Sequence, residues 1–128
     1  MPALVINAPT IEAVVRNARD FDTVLKLKVG EAYCFTSREA DEIRPGWPVI
    51  VLDRTKHRRA EGKLIRLEPV SGPVGARPCS TGRTRYDVRL EGLIEVNADA
   101  PLPPLSSAPK RNKDGSLRLN RSGVAILR

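Results

Sequence analysis

The side chains best equipped for chemistry are cations, and they come in clusters. Arg54-Thr55-Lys56-His57-Arg58-Arg59 places five cationic or potentially cationic side chains in six positions. Like charges so close repel one another, and an anionic partner relieves that repulsion. Arg77, Arg83 and Arg85 follow, interleaved with Ser80, Thr81 and Thr84, whose hydroxyls suit phosphate oxygens. Lys110-Arg111-Asn112-Lys113 is a third cluster, continued by Arg118 and Arg121. The expected nucleic-acid contacts are Lys56, His57, Arg58, Arg59, Arg83, Arg85, Lys110, Arg111, Lys113, Arg118 and Arg121, gathered on one electropositive surface.

Catalysis is harder to assemble. His57 is the only histidine, and its cationic neighbours oppose the imidazolium that a general base must form. The sequence has no His/Cys cluster at metal spacing, no Cys-x-x-Cys, no Gly-x-Gly-x-x-Gly and no P-loop. Its acidic residues are spread along strand faces beside basic neighbours. The expectation is a non-catalytic binding module with no metal site and no cofactor. Trp47 opens an apolar run, where the core rim suits it better than stacking on a base. Tyr33, Phe35 and Tyr86 are core candidates too, and so few aromatics argue against an extended stacking platform.

The charge balance points the same way. Cations and acids number six and seven in residues 1–50, ten and seven in 51–100, and six and one in 101–128, for a net +7. An excess confined to the second half favours a polyanion, whose counterions are released on binding. DNA and RNA are both open. The alternative partner is a protein or nucleoprotein complex, with this chain as a small inhibitor or accessory subunit. Its basic loops would then fill a partner's nucleic-acid site.

The elements that must carry these clusters are short. The chain has 128 residues, eleven prolines and nine glycines, which favour one domain of brief elements joined by turns. Leu4-Val5-Ile6 reads as a first strand. Thr10 then caps an amphipathic helix, with Ile11, Val14, Val15 and Ala18 on one face. Val24 to Val29 alternates and reads as a half-exposed strand closed by Gly30. Ala32 to Thr36 is another strand. Ser37 caps one or two helical turns, and Arg44-Pro45-Gly46 is a turn. Strands follow at Trp47–Leu52, Glu61–Val70 and Tyr86–Val96, the last interrupted by Gly92 as at a bulge. Ser71–Arg83 reads as a mobile surface loop.

These elements predict an α+β fold: a small twisted β-sheet or half-open β-barrel with one N-terminal amphipathic helix. Residues 1–97 form the β-rich globular domain, 98–109 a Pro-rich linker, and 110–128 a basic C-terminal arm with a potential hairpin. Cys34 and Cys79 stand far apart, and the N-terminus carries no export signal. One bridge between them stays open, but they read as reduced thiols of a cytoplasmic protein, with Cys34 a small buried hydrophobe. No segment is long and apolar enough to span a bilayer.

Three stretches carry a resemblance. They are Arg44-Pro45-Gly46-Trp47-Pro48-Val49-Ile50-Val51-Leu52, Arg59-Ala60-Glu61-Gly62-Lys63-Leu64-Ile65-Arg66-Leu67, and Tyr86-Asp87-Val88-Arg89-Leu90-Glu91-Gly92-Leu93. Over residues 44–96 the layout resembles the PUA-like superfamily, including its ASCH and EVE branches. The resemblance implies a pseudo-barrel that binds RNA or modified DNA bases; it assigns no individual pocket residue.

Overall fold

The computed structural model describes residues 2–10, 19–70, 79 and 82–128. The helix expected over 10–20 and the loop expected over 71–83 lie largely outside them. The described chain runs β1 (Ala3–Asn7), α1 (Phe21–Leu27), β2 (Val29–Thr36), α2 (Ser37–Glu42), β3 (Pro48–Asp53), β4 (Arg58–Pro69), β5 (Arg83–Val96) and β6 (Val124–Leu127). The strands form one curled, half-barrel-like sheet in the order β2-β5-β4-β3-β1-β6. Only the β1–β3 pair is parallel.

Strand periodicity sorts the core into two layers. In β1, Leu4 and Ile6 face one apolar cluster while Ala3 and Val5 face another. In β3, Val49 and Val51 face the first and Ile50 the second. A strand apolar on both sides must be covered on both sides. The first cover is made by α1 and the aromatics Phe21, Tyr33, Phe35 and Trp47. The second is made by the C-terminal chain, whose Leu102, Leu105, Leu117 and Leu119 pack on Val5, Ile50 and Leu127. β6 adds to β1 with Leu127 opposite Ala3 and Val124 opposite Ile6. The segment read as a linker thus lies against the sheet, and the end of the chain forms its last strand.

Two expectations about local structure are corrected. The alternation in Val24–Val29 does not make a strand; residues 21–27 are helical. Asp20 caps that helix, accepting from the Thr23 N–H, and Phe21 and Val24 bury one face at i, i+3 spacing. Lys28 ends it in the left-handed region at φ 58°. For α2 the cap is Thr36 and not Ser37: its hydroxyl accepts from Glu39 N–H while the Glu39 carboxylate accepts from Thr36 N–H. The Gly92 interruption is a bulge, where the β4–β5 register slips between Glu61 and Lys63. Gly62 opposes it, and a Cβ there would sit 2.8 Å from the Glu91 carbonyl oxygen.

A third correction concerns the cysteines. Cys34 and Cys79 are joined in a disulfide with Cα atoms 6.1 Å apart. Cys34 lies in β2, opposite Arg85 of β5, so the bridge anchors the sheet's outer strand. The reduced-thiol argument for a cytoplasmic protein falls with it. Among the described residues, no helix is long and apolar enough to cross a membrane.

Candidate functional site

The eleven candidate cations divide according to what the fold sets beside them. Arg58 is held from three sides: its guanidinium bonds Glu95 through two contacts at 3.0 Å, Asp22 at 2.9 Å and the Thr10 hydroxyl at 3.1 Å, and lies 4.3 Å above the Phe21 ring. The hydrogen bonds that Arg58 donates to Glu95 and Asp22 hold its pKa above its ordinary value, and the Glu95 carboxyl is held below its own by the same contact. Arg59 is buried, its side chain 4% exposed. It donates to the carbonyls of Ala100 at 2.6 Å and Pro101 at 3.2 Å and to Glu61 at 2.7 Å. Arg59 is therefore a clamp that ties the C-terminal chain to β4.

Arg83 and Arg85 leave the rest of the group. Both lie on β5 beside β2, at the opposite edge of the sheet from β6. Arg83 pairs with Glu39 at 2.7 Å, and Arg85 donates to the Ala32 carbonyl at 2.9 Å. The single surface expected from the sequence is not continuous across the sheet.

What the fold does bring together is the β3–β4 turn and the C-terminal chain. Asp53 builds the turn. Its buried carboxylate accepts from the N–H groups of Thr55 at 3.0 Å and Lys56 at 3.1 Å, and from the Thr10 N–H and hydroxyl. Burial pushes the Asp53 carboxyl up, but these hydrogen bonds outweigh it and hold the pKa below the ordinary value. With Asp53 turned inward, Arg54, Lys56 and His57 point to solvent. His57 sits at φ 52° and meets Asp99 at 3.0 Å, both side chains largely exposed.

Facing that turn is a short hairpin closed by the Arg111–Leu117 bridge. Gly115, at φ 87°, makes its tight turn, and Leu117 is anchored in the second apolar cluster. The anchor fixes the alternation, so Arg111 and Arg118 are exposed while Leu117 is not. A second turn, with Gly123 at φ 76°, carries exposed Arg121 into β6. A cleft of about 320 Å3 opens between the two parts, with Arg54, His57 and Arg111 at its edge. A neighbouring depression is bordered by Arg54 and Arg121, and another by Lys110 and Arg118. Among the described residues, exposed Arg54, Lys110, Arg111, Lys113, Arg118 and Arg121 have no carboxylate within ion-pair distance.

Arg54 is an exposed cation of these depressions that the sequence-derived set leaves out. Its signal was present, as the first cation of the 54–59 cluster, but only the fold shows it central to both depressions. Among the described residues, no group of three or more His, Cys, Asp or Glu side chains is placed to hold a metal ion. No family model, no curated protein and no solved structure matches the chain.

Proposed function

We propose that this chain is a non-catalytic nucleic-acid-binding module whose contact surface is the β3–β4 turn together with residues 110–121. One observation carries the reading: five exposed cations without carboxylate partners, Arg54, Lys110, Arg111, Arg118 and Arg121, border adjoining depressions, with exposed Lys113 on the same hairpin. Elsewhere Arg58, Arg66, Arg83 and Arg89 are neutralised by carboxylates, and the exposed Lys26, Lys28, Arg38, Arg44 and Lys63 border none of these depressions. Unpaired cations held side by side raise the local potential, and phosphates lower it. The PUA-like resemblance of residues 44–96 supports the same ligand class.

The contacts assigned are Arg54, Lys110, Arg111, Lys113, Arg118 and Arg121, with Lys56 and His57 at the rim. Arg58, Arg59, Arg83 and Arg85 take structural roles. A mobility-shift titration tests the reading. Affinity should fall steeply as salt rises, because each phosphate contact releases counterions. Affinity that stays flat between low and moderate salt would overturn it.

A further inference from the structure

We infer that the proposed interface is held chiefly through the phosphate backbone, and that its preferred ligand is a duplex bound with little regard to base order. This rests on the nucleic-acid reading above and narrows it. The first ground is where the aromatics lie. The chain has one Trp, two Tyr and two Phe. Phe21, Tyr33, Phe35 and Trp47 are buried in the first core cluster, and Tyr86 packs against it, edge-on to Phe35 with ring centres 6.1 Å apart. None borders the depressions around the unpaired cations. Proteins that hold single strands stack unpaired bases on exposed rings, and the ring this face offers is the His57 imidazole, which is engaged with Asp99 at 3.0 Å.

The second ground is how the uncharged polar groups of the face are spent. Reading an adenine or cytosine edge takes amide or carboxylate groups with free donors or acceptors, whereas arginine and lysine read guanine. Here those groups build the turns. The Asn112 amide donates to the Ser116 hydroxyl at 3.0 Å. The Asp114 carboxylate accepts from Ser116 N–H at 3.0 Å and from its hydroxyl at 2.6 Å. The Asn120 side-chain oxygen accepts from Ser122 N–H at 2.9 Å and Val124 N–H at 3.2 Å. What remains is mostly cationic, beside the exposed Thr55 hydroxyl and the Asp99 and Asp114 carboxylates. Arg111 spends one guanidinium nitrogen on the Gly115 carbonyl, at 2.8 Å, and keeps its other donors.

Cations alone favour the ligand with the densest charge. Each phosphate neutralised releases about 0.9 counterion from a duplex against about 0.7 from a single strand. A face held chiefly through phosphates therefore gains more from the duplex.

Fluorescence anisotropy on the full chain tests this with three labelled DNAs of equal length: two duplexes of scrambled order and equal composition, and one single strand. The two duplexes should bind within about threefold of each other, since equal composition offers the free arginines the same number of guanines. The single strand should bind at least about tenfold more weakly, and the duplex log–log salt slope should lie near −4 to −5, as for about five phosphates. A single strand that binds as well as duplex, or a strong preference between the duplexes, overturns this inference and leaves the parent reading standing. No binding to any of the three overturns both.

Discussion

Arg59 was expected among the phosphate ligands and is instead a clamp, and replacing it separates the two roles. In Arg59→Leu the buried stem keeps much of its packing, but three hydrogen bonds from a charged donor are lost. At about 1.5 kcal/mol each they sum to roughly 4–5 kcal/mol. Against this stands the Arg59 Nε, which is buried without a partner among the described residues. Removing it recovers on the order of 1–2 kcal/mol. The expected net loss is about 3 kcal/mol. For 128 residues the unfolding entropy is about 0.27 kcal/mol/K, so the melting temperature should drop by about 11 °C. Calorimetry reads the shift. Hydrogen exchange at residues 98–102 should rise, because the clamp holds the carbonyls of Ala100 and Pro101. Salt-dependent binding should be kept below the new melting temperature. A variant that melts as the parent does but binds nucleic acid poorly would refute the reasoning.

Other outcomes follow from the same structure. The Cys34–Cys79 bridge closes a loop over a separation of 45 residues, so replacing both cysteines with serine should cost up to about 4 kcal/mol. A dithiol reductant should lower the melting temperature of the parent in the same way, and equal melting with and without reductant would contradict the bridge. Gly62→Val should cost about 1–3 kcal/mol by urea denaturation, because its Cβ meets the Glu91 carbonyl oxygen at 2.8 Å and the Leu93 Cα at 3.1 Å, both main-chain atoms. Gly46→Ala, with open space around its Cβ but φ 89°, should cost only about 1 kcal/mol. Asp53 has a folded pKa below its unfolded value of about 3.9, so the unfolded chain binds the extra proton as pH falls. Its contribution is present above that value and is lost as pH drops through the folded pKa. Asp53→Asn should therefore show a smaller drop in urea midpoint between neutral and acid pH than the parent; parallel drops would sink the assignment.

The parts of the fold visible in the sequence are those set by local period. Val49-Ile50-Val51 in β3 and Tyr86-Asp87-Val88-Arg89-Leu90 in β5 are strands because period two divides their side chains between faces. Gly92 announced its bulge because the left-handed φ of 61° there suits glycine. Val24-Leu25-Lys26-Leu27-Lys28 misled because four alternating residues also fit one helical turn. The deciding signal was Asp20, a helix cap four residues before the buried Val24. The charges mislead for another reason. Arg58 and Arg59 sit side by side with equal prospects as ligands. Apart from Glu61, two residues from Arg59, the groups that hold them, the Glu95 carboxylate and the Ala100 carbonyl, lie about forty residues on and come close only when β5 returns along β4. The disulfide is non-local in the same sense. Local pattern thus located the clusters, while tertiary pairing selected which cations stay unpaired.

The central claim is that the unpaired cations, and not basic charge in general, hold the ligand. The most direct test compares two triple variants that lose the same charge. One carries Arg54→Gln, Arg111→Gln and Arg121→Gln; the other carries Arg66→Gln, Arg83→Gln and Arg89→Gln, whose side chains pair with Glu68 and Glu39. The first should bind duplex DNA with a salt slope shallower by about 2.7, at about 0.9 per contact, while the second keeps the parent slope. Equal losses of slope in the two variants would contradict the account.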